Sequence, residues 1–271
     1  MTSVEGKYVD KQEGMNMEVH FPSELLRPFI KIYRVIECLD EKLNSILPDT
    51  SLVMAFRFQG QVNYLTNEVK VGLPSSSISG LRKSRRLINY SKGAANILVI
   101  FKEAGANAFI KEPLNELFQE SVPLDNFIGF KNISDVEDQL AEATNNTQRI
   151  NLIEQFLLSK LYNHKPDTLI LASLERIRLA NGLVSIKRLA SELYVSLDAF
   201  EKRFRRMVGV SPKQFSYITR MRSILTQGMK GHTLTEVALE AGYFDQPHFN
   251  KDFKLFTGQT PTDFMKSPYL M

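Results

Sequence analysis

The chain has 271 residues, 43% of them hydrophobic, with a mean hydropathy of −0.18 and a formal charge of +4. It is long enough for two domains, and no apolar run approaches the length that a bilayer crossing needs. A single cysteine, Cys38, excludes an internal disulfide framework and a cysteine-rich zinc site.

Residues 1–20 are polar and aperiodic, the pattern of a flexible N-terminal segment. They hold no apolar core of a secretory signal, so a cytoplasmic location is the expectation. Phe21-Pro22-Ser23-Glu24-Leu25-Leu26 reads as the start of a short helix. Short runs rich in Val, Ile, Phe and Tyr follow at Lys31–Ile36, Ser51–Phe58, Val62–Leu65, Leu87–Tyr90 and Ile97–Phe101. Punctuated by Gly, Asn, Asp and Pro, they predict a small β-barrel or sandwich. Phe56, Phe58, Tyr64 and Tyr90 are candidates to line an effector pocket inside it, with ordinary core packing as the simpler account of each.

From about Asn107 the pattern turns helical. Phe109, Leu114, Leu117 and Phe118 come first, then Val136, Leu140 and Ala143, then Ile150, Ile153, Leu157, Leu158 and Leu161. The last stripe suits either pairing of two chains or packing against its own barrel. Asn163-His164-Lys165-Pro166 is the expected linker.

The last third contains a repeat. Phe200-Glu201-Lys202-Arg203-Phe204, Gly209, Ser211-Pro212 and Phe215 recur 49 positions later (249 − 200) as Phe249-Asn250-Lys251-Asp252-Phe253, Gly258, Thr260-Pro261 and Phe264. Upstream, Leu189-Ala190 and Val237-Ala238 are 48 apart (237 − 189), so one copy has an extra residue in its turn. Ser185 and Ser196 are good N-caps, Thr233 and Glu236 fit a capping box, Asp245 caps the next helix, and Gly209 and Gly258 are stops. Each copy is thus two short helices joined by a tight turn, a helix-turn-helix. Ser211-Pro212 opens a connecting helix that runs to about Gly228. From Asp167 onward there are 15 Lys/Arg against 10 Asp/Glu, a net +5 (15 − 10), so the positive excess sits with the repeat, where a polyanion would be met.

Over roughly residues 168–267 the sequence resembles the AraC/XylS family of bacterial transcription regulators. The resemblance rests on both units and their connector. It is carried by Gly209-Val210-Ser211-Pro212 with Phe215, by Arg220-Met221-Arg222, by the run from Val237-Ala238 through Ala241-Gly242-Tyr243-Phe244-Asp245-Gln246-Pro247-His248-Phe249, and by Gly258-Gln259-Thr260-Pro261 with Phe264. It implies sequence-specific binding to double-stranded promoter DNA beside RNA polymerase, with activation the commoner outcome. It also implies a cupin-like β-domain in front, often effector-binding, and helices that often pair two chains into a homodimer.

Removing the Phe200/Phe204 face leaves Leu197, Asp198, Glu201, Lys202 and Arg205 as the solvent face of the first recognition helix. The resemblance places Asp198, Glu201 and Lys202 at base edges. Lys donates to guanine, and Asp or Glu accepts from cytosine. On the second helix the corresponding face is Gln246, Pro247, Asn250 and Lys251, where Gln suits adenine and Pro a thymine methyl. Ser211, Lys213, Arg222, Thr260 and Thr262 are the candidate phosphate contacts, and helix capping alone also accounts for the hydroxyls. The basic cluster Arg82-Lys83-Ser84-Arg85-Arg86 suits an anionic effector, an extended DNA footprint or, most simply, a solvated edge. His20, His164, His232 and His248 show no ligand spacing, so no metal or cofactor is expected, and Cys38 has no nearby His to make it a nucleophile.

The expected architecture is therefore α+β. A flexible segment 1–20 is followed by a β-rich effector and dimerisation domain over 21–162, a linker at 163–166 and an all-α double helix-turn-helix domain over 167–271. The expected function is a non-enzymatic, cytoplasmic DNA-binding regulator that responds to a small organic effector. The rival readings are an enzyme-like domain fused to a DNA binder and a constitutive binder without effector.

Overall fold

The computed structural model describes residues 7–12, 14–162, 165–229 and 233–266. Contacts divide the chain into two compact units, one of Met1–Asn44, Ser51–Gly80 and Leu87–Lys165, the other of Ser45–Thr50, Leu81–Arg86 and Pro166–Met271.

The first unit is β-rich with trailing helices. Its strands are β1 (Lys7–Gln12), β2 (Met15–His20), β3 (Ile30–Cys38), β4 (Lys42–Ile46), β5 (Val53–Gln59), β6 (Val62–Thr66), β7 (Val69–Gly72), β8 (Ser76–Ser79), β9 (Arg86–Tyr90), β10 (Ala95–Phe101) and β11 (Ser121–Pro123). Seven form a sheet in the order β1-β2-β3-β10-β5-β8-β11, and four form a second in the order β4-β9-β6-β7. In β10, Ile97 lies opposite Val35 and Phe56, and Val99 opposite Tyr33 and Met54. All six side chains are buried on one face of the large sheet. The other face meets the second sheet through Met15, Ile36, Cys38, Val62, Tyr90 and Ala94. Covering both faces explains why β10 reads as a nearly continuous apolar run rather than an alternating one.

Two helices follow, α1 (Ile133–Glu142) and α2 (Asn146–Lys160). Phe156 on α2 meets the Phe56 ring edge-on at 6.1 Å, and Glu154 accepts from the Ser23 backbone N–H at 2.8 Å. Ile150, Ile153 and Leu157 are buried in this unit. That stripe is core, which removes the support it lent to chain pairing.

Three further expectations are corrected. Residues 7–12 and 15–20 are paired strands, turned at Gly14 with φ +75°. β2 also pairs with β3, placing Met15 beside Cys38, so this segment is part of the sheet. Its short alternation, Met15, Met17 and Val19 among polar residues, is the strand period. In place of a helix starting at Phe21, residues 24–29 form hydrogen-bonded turns, with the Ser23 carbonyl accepting from Leu26 and Arg27. Around Asn107 the chain forms only short 3-10 helices, at Gly105–Ala108 and Leu114–Leu117, and the expected α-helices begin at Ile133. Of the expected linker, Asn163 and His164 lie outside the described residues.

The second unit is helical: α3 (Thr168–Leu179), α4 (Ile186–Glu192), α5 (Leu197–Val208), α6 (Pro212–Gln227), α7 (Leu234–Glu240), α8 (Gln246–Thr257) and α9 (Pro261–Lys266). Ser185, Ser196, Ser211 and Asp245 each cap their helix by accepting a backbone N–H. Thr233 and Glu236 complete the capping box. Gly209 and Gly258 end α5 and α8 at φ +94° and +80°, conformations that a β-carbon would strain. Among the described residues no helix is long and apolar enough to cross a membrane.

Candidate nucleic-acid interface

The repeat in sequence is a repeat in space. In the first copy Phe200, Phe204 and Phe215 stack edge to face, with successive centroids 5.7 Å apart. In the second, Phe249, Phe253 and Phe264 make the corresponding ladder, tilted at 5.6 Å and edge to face at 5.4 Å. Each ladder fixes the inner face of α5 or α8, and the outer face is what remains for a partner. Between them α6, 16 residues and about 24 Å long, contributes buried Phe215, Ile218, Met221 and Leu225.

On α5, Leu197, Asp198, Lys202 and Arg205 are exposed and Glu201 is half-buried. Glu201 pairs with Arg205 one turn on, at 3.1 Å, which neutralises one of the two acidic groups on this face. Arg203 is turned away, held by Asp167 at the start of α3 through two contacts of 3.0 and 2.7 Å. On α8, Pro247 and Lys251 are exposed, and Gln246 and Asn250 half-buried. The Gln246 carbonyl already accepts from Thr235 at 2.9 Å, which leaves its amide hydrogens to donate.

Ser211 accepts from the Gln214 N–H at 3.2 Å and Thr260 from that of Asp263 at 3.2 Å, so both hydroxyls cap helices. Lys213 and Thr262 are exposed. Arg222 forms a half-exposed ion pair with Asp49 at 3.3 Å, within the same compact unit. Of the basic cluster, Arg85 lies so close to Gly258, at the end of α8, that a β-carbon there would overlap its guanidinium. A cation at a helix C-terminus is favourably placed.

The extra residue of the repeat can now be located. Leu193 is the C-cap of α4, left-handed Tyr194 follows at φ +54°, then Val195 and the cap Ser196. Ala241 is the C-cap of α7, left-handed Gly242 follows at φ +73°, then Tyr243, Phe244 and the cap Asp245. The Val195 and Tyr243 N–H groups donate to Ala190 and Ala238, residues 48 apart (238 − 190), so the added residue is Phe244. Tyr243 is buried, 5.5 Å from the Phe249 ring, with the Arg220 guanidinium 4.5 Å from its own ring and its hydroxyl donating to Asp252 at 3.0 Å. That burial pushes the Tyr243 phenol pKa well above its ordinary value. Phe244 is 93% exposed. In the sequence it is only one of three turn residues, and nothing marks it as the inserted one.

The four aromatics expected to line a pocket do not share one. Phe56 is buried under α2, and Phe58, two residues along the same strand, lies beneath the Arg149 guanidinium, 4.1 Å from its ring centroid. Tyr90 belongs to the core between the sheets, and Tyr64 bonds Ser121. Strand alternation separates the two pairs. Cys38 is buried, which raises its thiol pKa, with Lys42 acting in the opposite sense. A thiol so placed is poorly suited to attack.

Residues 189–267 match the family model described as a helix-turn-helix domain, and residues 18–123 match a domain of unknown function (DUF6597). An uncharacterized HTH-type transcriptional regulator of Haemophilus influenzae is 31% identical over 120 residues, 43% of this chain. The match covers 39% of that relative's length. Among solved structures, ToxT from Vibrio cholerae aligns over 86% of this chain and 96% of its own, at 15% identity and a TM-score of 0.42. The xylose-binding transcription activator xylR aligns over 40% of this chain and 29% of its own, at 18% identity and a TM-score of 0.33.

Proposed function

We propose that this chain, a member of the AraC/XylS family of helix-turn-helix regulators, binds one specific promoter sequence with α5 and α8 in successive major grooves and so regulates transcription without catalysing a reaction. The observation that carries the reading is the duplicated aromatic ladder, Phe200/Phe204/Phe215 and Phe249/Phe253/Phe264. It holds two recognition helices on one rigid connector and leaves their polar faces outward. Lys202 and Lys251 are the expected base readers, joined by Asp198, Glu201, Gln246 and Asn250, with Leu197 and Pro247 as apolar neighbours. Lys213, Thr262 and the N-termini of α6 and α9 hold phosphates. Activation through contact with RNA polymerase is the expected output.

The β-rich unit is proposed to bind a small organic effector on the less tightly packed face of the large sheet, beside half-buried Tyr64. The support is the contrast in burial across the large sheet. Met54 and Phe56 are sealed beneath the helices, whereas Val53, Ala55 and Arg57 on the other face are half-buried. Binding of the full chain to genomic fragments, followed by salt titration on the selected fragment, tests the DNA reading. Affinity should fall steeply with salt as counterions are released. No sequence preference, or affinity independent of salt, would sink it. Thermal-shift screening of metabolites, with the effect of each hit on operator affinity, tests the effector.

A further inference from the structure

We infer that Phe244 reads DNA: its ring packs on the C5-methyl group of a thymine at the end of the site approached by the N-terminus of α8. The inference rests on the DNA-binding reading and adds to it a specificity-determining side chain that is apolar.

Folding does not account for the position of this ring. The residue before an N-cap commonly packs on the fourth helical residue, closing the entry to the helix as a hydrophobic staple. In α8 that fourth residue is Phe249, and its ring is met at 5.5 Å by Tyr243, not by Phe244. The extra residue of the second turn therefore lets Tyr243 close the helix and sets Phe244 outside it, 93% exposed. In the first copy Val195, the residue before the cap, is half-buried, and the exposed ring there is Tyr194, two residues before the cap at the left-handed position.

Its location names the occupant. Phe244 adjoins Asp245, the N-cap of α8, and then Gln246 and Pro247 of the first turn. In a helix-turn-helix the N-terminal residues of the recognition helix are those that meet base edges. Exposed Pro247 lies in the same first turn, so the leading end of α8 carries two apolar side chains beside one amide. The apolar feature that the major groove offers to such a surface is the thymine methyl.

The test uses the full chain and its selected operator. Thymines are replaced one at a time by deoxyuridine, which removes only the methyl group, and affinity is measured by fluorescence anisotropy. Wild type should lose about three- to fivefold at one or two positions, the scale of one buried methyl group. Those positions should lie at one end of the site. Phe244→Ala should lose a similar factor on the unmodified operator and show no further loss at the same positions. Tyr194→Ala, in the other turn, should keep the wild-type deoxyuridine profile. Circular dichroism should match wild type for both variants, because both rings lie in solvent.

A Phe244→Ala profile that repeats the wild-type losses overturns the inference, as does a wild-type profile with no methyl-sensitive position. So does a variant that binds the operator normally but fails to drive transcription in vitro, which would make the ring a polymerase contact. In all three results wild type still binds its operator in a salt-dependent manner. Loss of that binding would instead remove the DNA reading beneath the inference.

Discussion

The two helix-turn-helix units share their inner faces and differ on their outer ones. Inside, the aromatic ladders correspond residue for residue at an offset of 49, and both recognition helices end in a left-handed glycine. Outside, α5 presents Asp198, Glu201 and Lys202, whereas α8 presents Gln246, Asn250 and Lys251 and is led by Phe244. Asp198 near a polyanion costs affinity and gains selectivity for cytosine, whereas Glu201 is paired with Arg205. Amides and an exposed ring carry no such penalty. The difference teaches that the scaffold was duplicated and the reading surface was not. α8 should be the stronger anchor and α5 the stricter discriminator.

The comparison breaks first at the scaffold. Phe204→Ala and Phe253→Ala remove fully buried rings at equivalent positions. Each should cost about 3–5 kcal/mol of stability, and the two losses should be alike. Chemical denaturation followed by circular dichroism measures both, and a large inequality would show that one copy is loosely built. At the reading surface, Lys202→Ala and Lys251→Ala should each weaken operator binding by about 1–3 kcal/mol. They should relax selectivity at base pairs about one helical turn apart. Quantitative footprinting of operator variants checks this, and loss at a single shared base pair would refute the two-groove arrangement. Replacing the caps, Ser196→Ala against Asp245→Ala, should cost about 0.5–2 kcal/mol each in thermal melts. The smallest effect is expected from Lys213→Ala. It should weaken all sequences alike and reduce the salt slope by about 0.9 for one lost phosphate contact.

Most of the helical unit was legible because its signals are local. Ser185, Ser196, Ser211, Thr233 and Asp245 announce helix starts by chemistry confined to three or four residues, and Gly209 and Gly258 announce stops. The β-rich unit was legible only at its centre. β3, β5 and β10 are rich in branched and aromatic side chains, whereas β8 reads Ser-Ser-Ile-Ser and β11 includes a proline, so neither carries a strand signature of its own. The four aromatics expected to share a pocket divide between two faces for a related reason. With both faces of the large sheet covered, the apolar pattern of β5 and β10 does not say which face looks inward. That is decided by α2, far along the chain. Phe244 was invisible because exposure is a property of its neighbour: only the burial of Tyr243 against Phe249 leaves the next ring outside.

The connector α6 has a further consequence. An α-helix advances only about 1.5 Å per residue but turns by about 100°. Adding one residue to the run between Pro212 and Gln227 would barely change the reach of the protein, yet it would swing one recognition helix away from the face of the DNA that the other reads. Spacing and phase are therefore locked together in the connector. A lineage carrying it can change what its two readers recognise one side chain at a time, but cannot shift the distance between their targets by small steps. Operators of such proteins should drift in sequence while holding their geometry.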